Sequence, residues 1–318
     1  MAVETKNQLA LHQSRQEQLI ASARYIEQFL AQPQTKASYE RSKCPTCNNQ
    51  TDSALFTKNN GEYCYCSDCR HIYLANPLGQ RQLIEFYSGY PTSSLDWHVN
   101  ESHFYERIYS KGLDLIKGVC QSGNLLDIGC SGGYFLSIAH KRGYKVHGIE
   151  PNEIESSHAK REGFKILGST IDDLHESTAF EIVTLWDVLE HIPNPIDYLK
   201  QIKSHLSPGA LIFVQIPTCD SLAARVMRGA CNMFDGIEHL TLFSAHSLDL
   251  AFSKAGYALV DRQSVISESQ VLQNFMSYAS DPYLSQPCQQ FQPEFLSADS
   301  IEAGGHGYKI QGLYRLES

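Results

Sequence analysis

Cys44-Pro-Thr-Cys47 and Cys66-Ser-Asp-Cys69 are two C-x-x-C turns separated by eighteen residues. Each turn can aim two thiolates at one ion, and two facing turns supply the four sulfurs of a tetrahedral zinc site. Four thiolates fill the coordination sphere and leave no place for water, so the chemistry expected is structural metal binding. Cys64 and His71 stand close enough to substitute for a ligand, but neither lies in a C-x-x-C frame. A second group is Asp127-Ile-Gly129-Cys130-Ser131-Gly-Gly133, followed by Glu150. Its glycines let backbone approach a ligand, and a carboxylate about 20 residues further on suits the paired hydroxyls of a ribose. The third group is Asp187-Val-Leu-Glu190-His191 together with Glu238-His239, in which an imidazole adjoins a carboxylate, as proton transfer requires.

These residues have to be placed by an alternating pattern that begins at Asn124. Apolar runs predict strands over 124–128, 145–149, 164–167, 181–186, 210–216, 257–266 and 308–316. Helical spacing fills 134–141, the stretch capped by Asn152 and stopped by Gly163, the one opened by Asn194-Pro195 and ended by Ser207-Pro-Gly, and Ser244 to Ala255. Such alternation means an α/β fold, a parallel sheet with helices on both faces. Ligands of such sheets bind beyond the carboxyl ends of the strands. There the pattern places Gly129–Gly133 after the first strand, Glu150 after the second, Asp187–His191 after the fourth and Glu238–His239 after the fifth.

Read as G-x-G-x-x-G, the glycine turn fails, because Ser131 and Tyr134 occupy two of the glycine positions. It resembles instead the corresponding turn of class I S-adenosylmethionine-dependent methyltransferases. Gly148-Ile-Glu150-Pro, Phe180 to Pro195 and Leu206-Ser-Pro-Gly-Ala-Leu-Ile extend that resemblance to about Val260. The cysteine turns, Cys69-Arg-His-Ile-Tyr-Leu-Ala-Asn-Pro77 and Glu238-His239-Leu-Thr-Leu-Phe-Ser244 resemble a zinc-ribbon branch that includes deoxysugar C-methyltransferases. The resemblance implies a Rossmann-like seven-stranded sheet, preceded by a small four-cysteine zinc ribbon and an N-terminal helix, with the last strand antiparallel. It also implies that Asp127 and Gly129 contact the methionine part of S-adenosylmethionine and Glu150 the ribose. Thr170-Ile171-Asp172 would contact the adenine, and Trp186 and Asp187 would line the methyl-donor pocket. Many relatives carry an acid where Thr170 stands, which leaves the adenine contact to Asp172 or to backbone. His191 or His239 would serve as base, oriented by Glu190 or Glu238. Sugar C-methylating relatives carry a tyrosine shortly before the second Glu-His pair, where this chain has Asp235, Gly236 and Ile237, a departure that argues against a carbon acceptor.

The 318 residues allow two domains, and 42% hydrophobic against 19% charged residues is a globular balance. A formal charge of −9, with Lys58 the only basic residue between Cys44 and Cys69, disfavours nucleic acid and favours a small-molecule acceptor such as a nucleotide-linked sugar or secondary metabolite. Two alternatives remain: methylation of RNA or protein read by the ribbon, and a non-catalytic interaction protein. No run of about 18 apolar residues occurs, so no membrane association and a cytoplasmic protein are expected. Expected divisions are an amphipathic helix over about 4–31 within 1–40, able to mediate a homodimer, a ribbon over 41–78, and an aromatic lid or linker over 79–122. A methyltransferase domain over 123–318 follows, with an irregular insertion at 267–305.

Overall fold

The structure, a computed structural model, describes residues 16–32, 43–51, 53–90, 95, 98, 101–175, 179–286 and 293–317. Residues 4–15 of the expected first helix, parts of the expected lid or linker at 91–100, and 287–292 of the expected insertion lie outside them. In chain order the elements begin with α1 (Gln16–Leu30), β1 (Ala54–Lys58), β2 (Gly61–Tyr65), β3 (Ile72–Leu74), α2 (Gln80–Gly89) and α3 (Ser102–Lys117). An alternating stretch follows: β4 (Asn124–Ile128), α4 (Tyr134–Lys141), β5 (Lys145–Ile149), α5 (Glu153–Arg161), β6 (Lys165–Gly168), β7 (Phe180–Trp186), α6 (Pro195–Lys203) and β8 (Leu206–Pro217). The remainder is α7 (Leu222–Met227), β9 (Thr241–Leu242), α8 (Ala245–Ala255), β10 (Tyr257–Val265), α9 (Ser269–Met276), α10 (Ala298–Ala303) and β11 (Lys309–Leu316). They form two compact units: Met1–Ser93 with Pro217–Ala245 and Ser264–Lys309, and Ser94–Ile216 with His246–Gln263 and Ile310–Ser318.

The second unit is built on a seven-stranded sheet of order β10-β11-β8-β7-β4-β5-β6. Strands β6, β5, β4, β7 and β8 pair in parallel, with Asp127 opposite both Gly148 and Thr184. Their continuous apolar runs, such as Leu125-Leu126 and Leu211 to Val214, are fully buried, as a sheet covered on both faces demands. Asn152 accepts from the backbone N–H of Ile154 and Glu155 and so starts α5, while Gly163, at φ 91°, follows its end. β8 starts four residues before the expected strand. Ser207-Pro-Gly does not end a helix there but forms a bulge, because β8 runs from Leu206 to Leu211 while β7 runs only from Phe180 to Ile182. Gly209 supplies the φ of 72° that the bulge needs.

The first unit contains the antiparallel sheet β1-β2-β3-β9, in which Ile72 pairs with Leu242. Behind it Tyr63, Leu74, Phe234 and Leu242 pack with Val271 and Leu272 of α9. The stretch 267–305, expected to be irregular, therefore holds two α-helices among its described residues. Its Ser and Gln content hides a helical face of Val271, Leu272, Phe275 and Met276, which closes this core. Phe29 of α1 is buried with Phe86 of α2 and Ile237, and the Tyr25 hydroxyl donates to the Phe86 carbonyl at 2.8 Å.

Candidate functional site

In the second unit β4 delivers Asp127 into a buried position, where the Thr184 hydroxyl donates to its Oδ1 at 2.7 Å. Burial pushes the Asp127 carboxyl up to about 8 in spite of that bond. The chain then turns through Gly129 (φ 76°), Ser131 (φ 50°) and Gly133 (φ 87°), the residue that opens α4. Backbone N–H groups of Gly129 and Cys130 both donate to the Ile149 carbonyl, which ties the turn to the end of β5. Glu150 completes the tie: its Oε2 accepts from Ser131 N–H at 2.7 Å and its Oε1 from Asn152 N–H at 2.8 Å. An ionised carboxylate has about four acceptor positions, so two remain for a diol. Burial pushes Glu150 up to about 7. Ile171 is buried, and Asp172 is exposed with Gln201 donating to it. Sequence reasoning missed Asp173, whose Oδ2 accepts from Ser169 and Thr170 N–H at 2.7 and 2.9 Å and fixes this turn.

Trp186 ends β7 in a nest of rings, with Tyr109, Phe135 and Phe213 centred 4.6, 4.9 and 4.5 Å away. Its buried Nε1 has no hydrogen-bond partner among the described residues. Asp187 follows at φ 55°, and its Oδ2 accepts from Gln215 Nε2 at 3.1 Å. A chain of amides stands behind it, from Gln263 to Gln311 (2.7 Å) and from Gln311 to Gln215 (2.8 Å). Nothing in the spacing of these glutamines announces that they meet, because they lie on three separate strands. Glu190 is buried and His191 half-buried on the 3-10 turn Leu189–His191 just beyond. Glycines at the turn, two buried carboxylates able to face a cation, and an unpartnered indole N–H fit a nucleoside sulfonium such as S-adenosylmethionine.

In the first unit the two cysteine turns are near copies. Asn48 N–H returns to the Cys44 carbonyl and Arg70 N–H to the Cys66 carbonyl, each at 2.8 Å, with Asn48 and Arg70 at positive φ. The four sulfurs lie within 4.8 Å of one another, with Cys44 to Cys69 at 3.5 Å and Cys47 to Cys66 at 3.4 Å. A tetrahedral zinc with bonds of about 2.3 Å would set its sulfurs about 3.8 Å apart, so this donor set fits zinc. The bond from Cys69 draws Cys44 down to about 5, while burial pushes Cys47 up to about 11. Cys64 and His71 lie outside the tetrad, and His71 packs edge-on against Phe243.

Glu238 and His239 sit on a loop folded around Asp235. Oδ1 of Asp235 accepts from the N–H groups of Ile237 and Glu238 at 2.7 Å and of His239 at 3.3 Å. His239 Nδ1 lies 3.0 Å from Asp235 Oδ2 and 2.7 Å from the Met233 carbonyl oxygen. Burial would raise Asp235, but His239 and the backbone donors outweigh it and hold the carboxyl at about 2. Glu238 moves the other way, up to about 7, through burial and then the charge of Asp235.

A sequence profile described as a methyltransferase domain matches residues 102–262, just over half of the chain. With the strand order and the residues at the strand ends, this settles the class: the chain belongs to the S-adenosylmethionine-dependent methyltransferases of class I. The ubiquinone biosynthesis O-methyltransferase of Vibrio parahaemolyticus is 33% identical over 97 residues, 28% of this chain and 41% of that protein. The chain thus matches about two fifths of the length of that curated relative. A SAM-dependent methyltransferase from Thermotoga maritima is similar at 18% identity and a TM-score of 0.45, covering 69% of this chain and 96% of that one. The plantazolicin methyltransferase BpumL, solved in complex with SAH, gives 15% identity, a TM-score of 0.47 and coverage of 71% and 89%.

Proposed function

We propose that the chain transfers a methyl group from S-adenosylmethionine to a small-molecule acceptor, at an oxygen that gives up a proton to His239. The observation that carries the reading is the pair of buried carboxylates, Asp127 and Glu150, flanking a glycine turn at the ends of β4 and β5. When bound, the cofactor supplies an already activated methyl group, so the protein has to align the acceptor, keep water out and take up its proton. In this reading Asp127 and Gly129 hold the methionine end, Cys130, Ser131 and Gly133 the turn against it, and Glu150 the ribose. Ile171 and Asp172 border the adenine, and Trp186 and Asp187 line the methyl side. Glu238 and Glu190 are the acids beside His239 and His191, with His191 the alternative base. The cysteine tetrad holds a structural zinc ion.

Oxygen is favoured over carbon by the O-methyltransferase relatives and by Asp235, Gly236 and Ile237 standing where a tyrosine was expected. A small acceptor is favoured over a polynucleotide by the net charge of −9. The test is transfer of tritium from methyl-labelled S-adenosylmethionine to panels of phenols, catechols, nucleotide-linked sugars, RNA and peptides. Labelling of a hydroxyl compound by the parent, abolished in Glu150→Ala and reduced in His239→Gln without loss of S-adenosylhomocysteine binding, is the expected result. Labelling of RNA or peptide alone would overturn the small-molecule reading.

A further inference from the structure

His239 Nδ1 faces two oxygens, the Met233 carbonyl at 2.7 Å and Asp235 Oδ2 at 3.0 Å. A carbonyl oxygen and an ionised carboxylate can only accept, so Nδ1 must carry the ring proton and Nε2 is the nitrogen that takes up another. The ring is thus held with Nε2 as its basic nitrogen. Its backbone is held as well, by a segment distant in sequence. The Tyr63 hydroxyl in β2 accepts from Gly236 N–H at 2.9 Å and donates to the His239 carbonyl at 3.3 Å. Asn59, in the turn before β2, donates to the Asp235 carbonyl at 2.9 Å. Gly61 leaves room for this approach: a Cβ there would stand 2.6 Å from the Gly236 Cα. Tyr63 is fully buried and its ring packs against Phe56 and Phe234, so the hydroxyl is fixed in place.

We propose that Asp235 and Tyr63 are positioning residues for His239, Asp235 setting the ring tautomer and Tyr63 setting the backbone from which the ring projects. This rests on the reading of His239 as the proton acceptor, and it gives the ribbon a task inside the enzyme: its hairpin, β1 and β2, is the mould of the loop that carries the base.

The test uses the full zinc-loaded chain with nitrogen-15 histidine and bound S-adenosylhomocysteine. A spectrum correlating ring nitrogens with ring carbon-bound protons separates the two tautomers, and His239→Gln assigns the His239 signals. The parent should give the Nδ1–H pattern alone. In Asp235→Asn the amide N–H can face Nδ1, and the ratio of Nδ1–H to Nε2–H should fall about tenfold, the weight of one charge-assisted hydrogen bond. Tyr63→Phe should move it in the same direction by about threefold, the weight of a neutral bond. Both variants should bind S-adenosylhomocysteine as the parent does, and should Asp235→Asn fail to fold, Tyr63→Phe decides alone. Parental spectra in every folded variant would overturn the inference while leaving His239 as base. Parental turnover in His239→Gln would instead remove the base reading, with the tautomer result standing.

Discussion

Replacing Glu150 with alanine should cost more stability in acid than in base, and the difference can be worked out from its surroundings. The carboxylate accepts from the N–H groups of Ser131 and Asn152. Leaving the buried Ser131 N–H without an acceptor costs about 1–3 kcal/mol, while the N–H of exposed Asn152 can turn to water. Against this stands burial, which lifts the group from 4.5 to about 7. At 1.36 kcal/mol per unit that is about 3 kcal/mol against the ionised form. An acid raised in the folded state contributes its full stability below its unfolded value, and that contribution drains away as pH rises through the folded one. From about pH 5.5 to about pH 8.5 the parent should therefore lose about 2 kcal/mol through this group and the variant nothing. Urea titrations of the cofactor-free proteins at the two pH values read the difference, and the penalty of Glu150→Ala should shrink by that amount as pH rises. Calorimetry should show S-adenosylhomocysteine binding lost at both. A penalty that grows with pH would mean that the fold favours the anion and that burial does not dominate. Unchanged affinity would remove Glu150 from the cofactor site.

Three further outcomes follow from single contacts. Elemental analysis of freshly purified protein should find about one zinc per chain, and Cys44→Ser should lose both the metal and the cooperative melting of the first unit; a metal-free parent would sink the tetrad reading. Thr184→Val removes the donor to Asp127 Oδ1, which should raise that carboxyl further and cost about 1–3 kcal/mol in urea; no loss would mean that the bond is idle. Gly112→Ala places a Cβ 2.5 Å from both the Phe213 and Trp186 rings, so overpacking should cost about 1–3 kcal/mol and lower the melting temperature; a melting temperature at or above the parent's would refute the close packing of α3 on those rings.

Strands β4, β5 and β7 were legible almost to the residue because a buried parallel strand is an apolar run closed by a turn. The glycines at 129 and 133 carry the positive φ that their residue type advertises. Legibility failed where chemistry depends on side chains meeting from afar. Asp235 looked like the place where a tyrosine was missing, yet its carboxylate collects three backbone N–H groups and a histidine. The amide chain behind Asp187 is silent in sequence for the same reason. In 267–305 Ser and Gln outweigh the few apolar residues that make α9, and composition concealed a helix that four side chains define. Asp172 and Asp173 are adjacent and alike, and only the backbone donors of Ser169 and Thr170 tell them apart.

The ribbon raises the larger question of what a module whose four sulfurs could hold one ion contributes to a methyltransferase. A module that reads nucleic acid keeps a basic surface, and between Cys44 and Cys69 the sequence supplies Lys58 alone. What the ribbon does hold is the backbone of Asp235, Gly236 and His239, through Asn59 and Tyr63. A loop that carries an imidazole in one tautomer, as proposed for His239, would gain from a rigid mould. Closed by one ion, as proposed, two C-x-x-C turns would provide such rigidity in fewer than thirty residues, where a hydrophobic core of that size alone would be marginal.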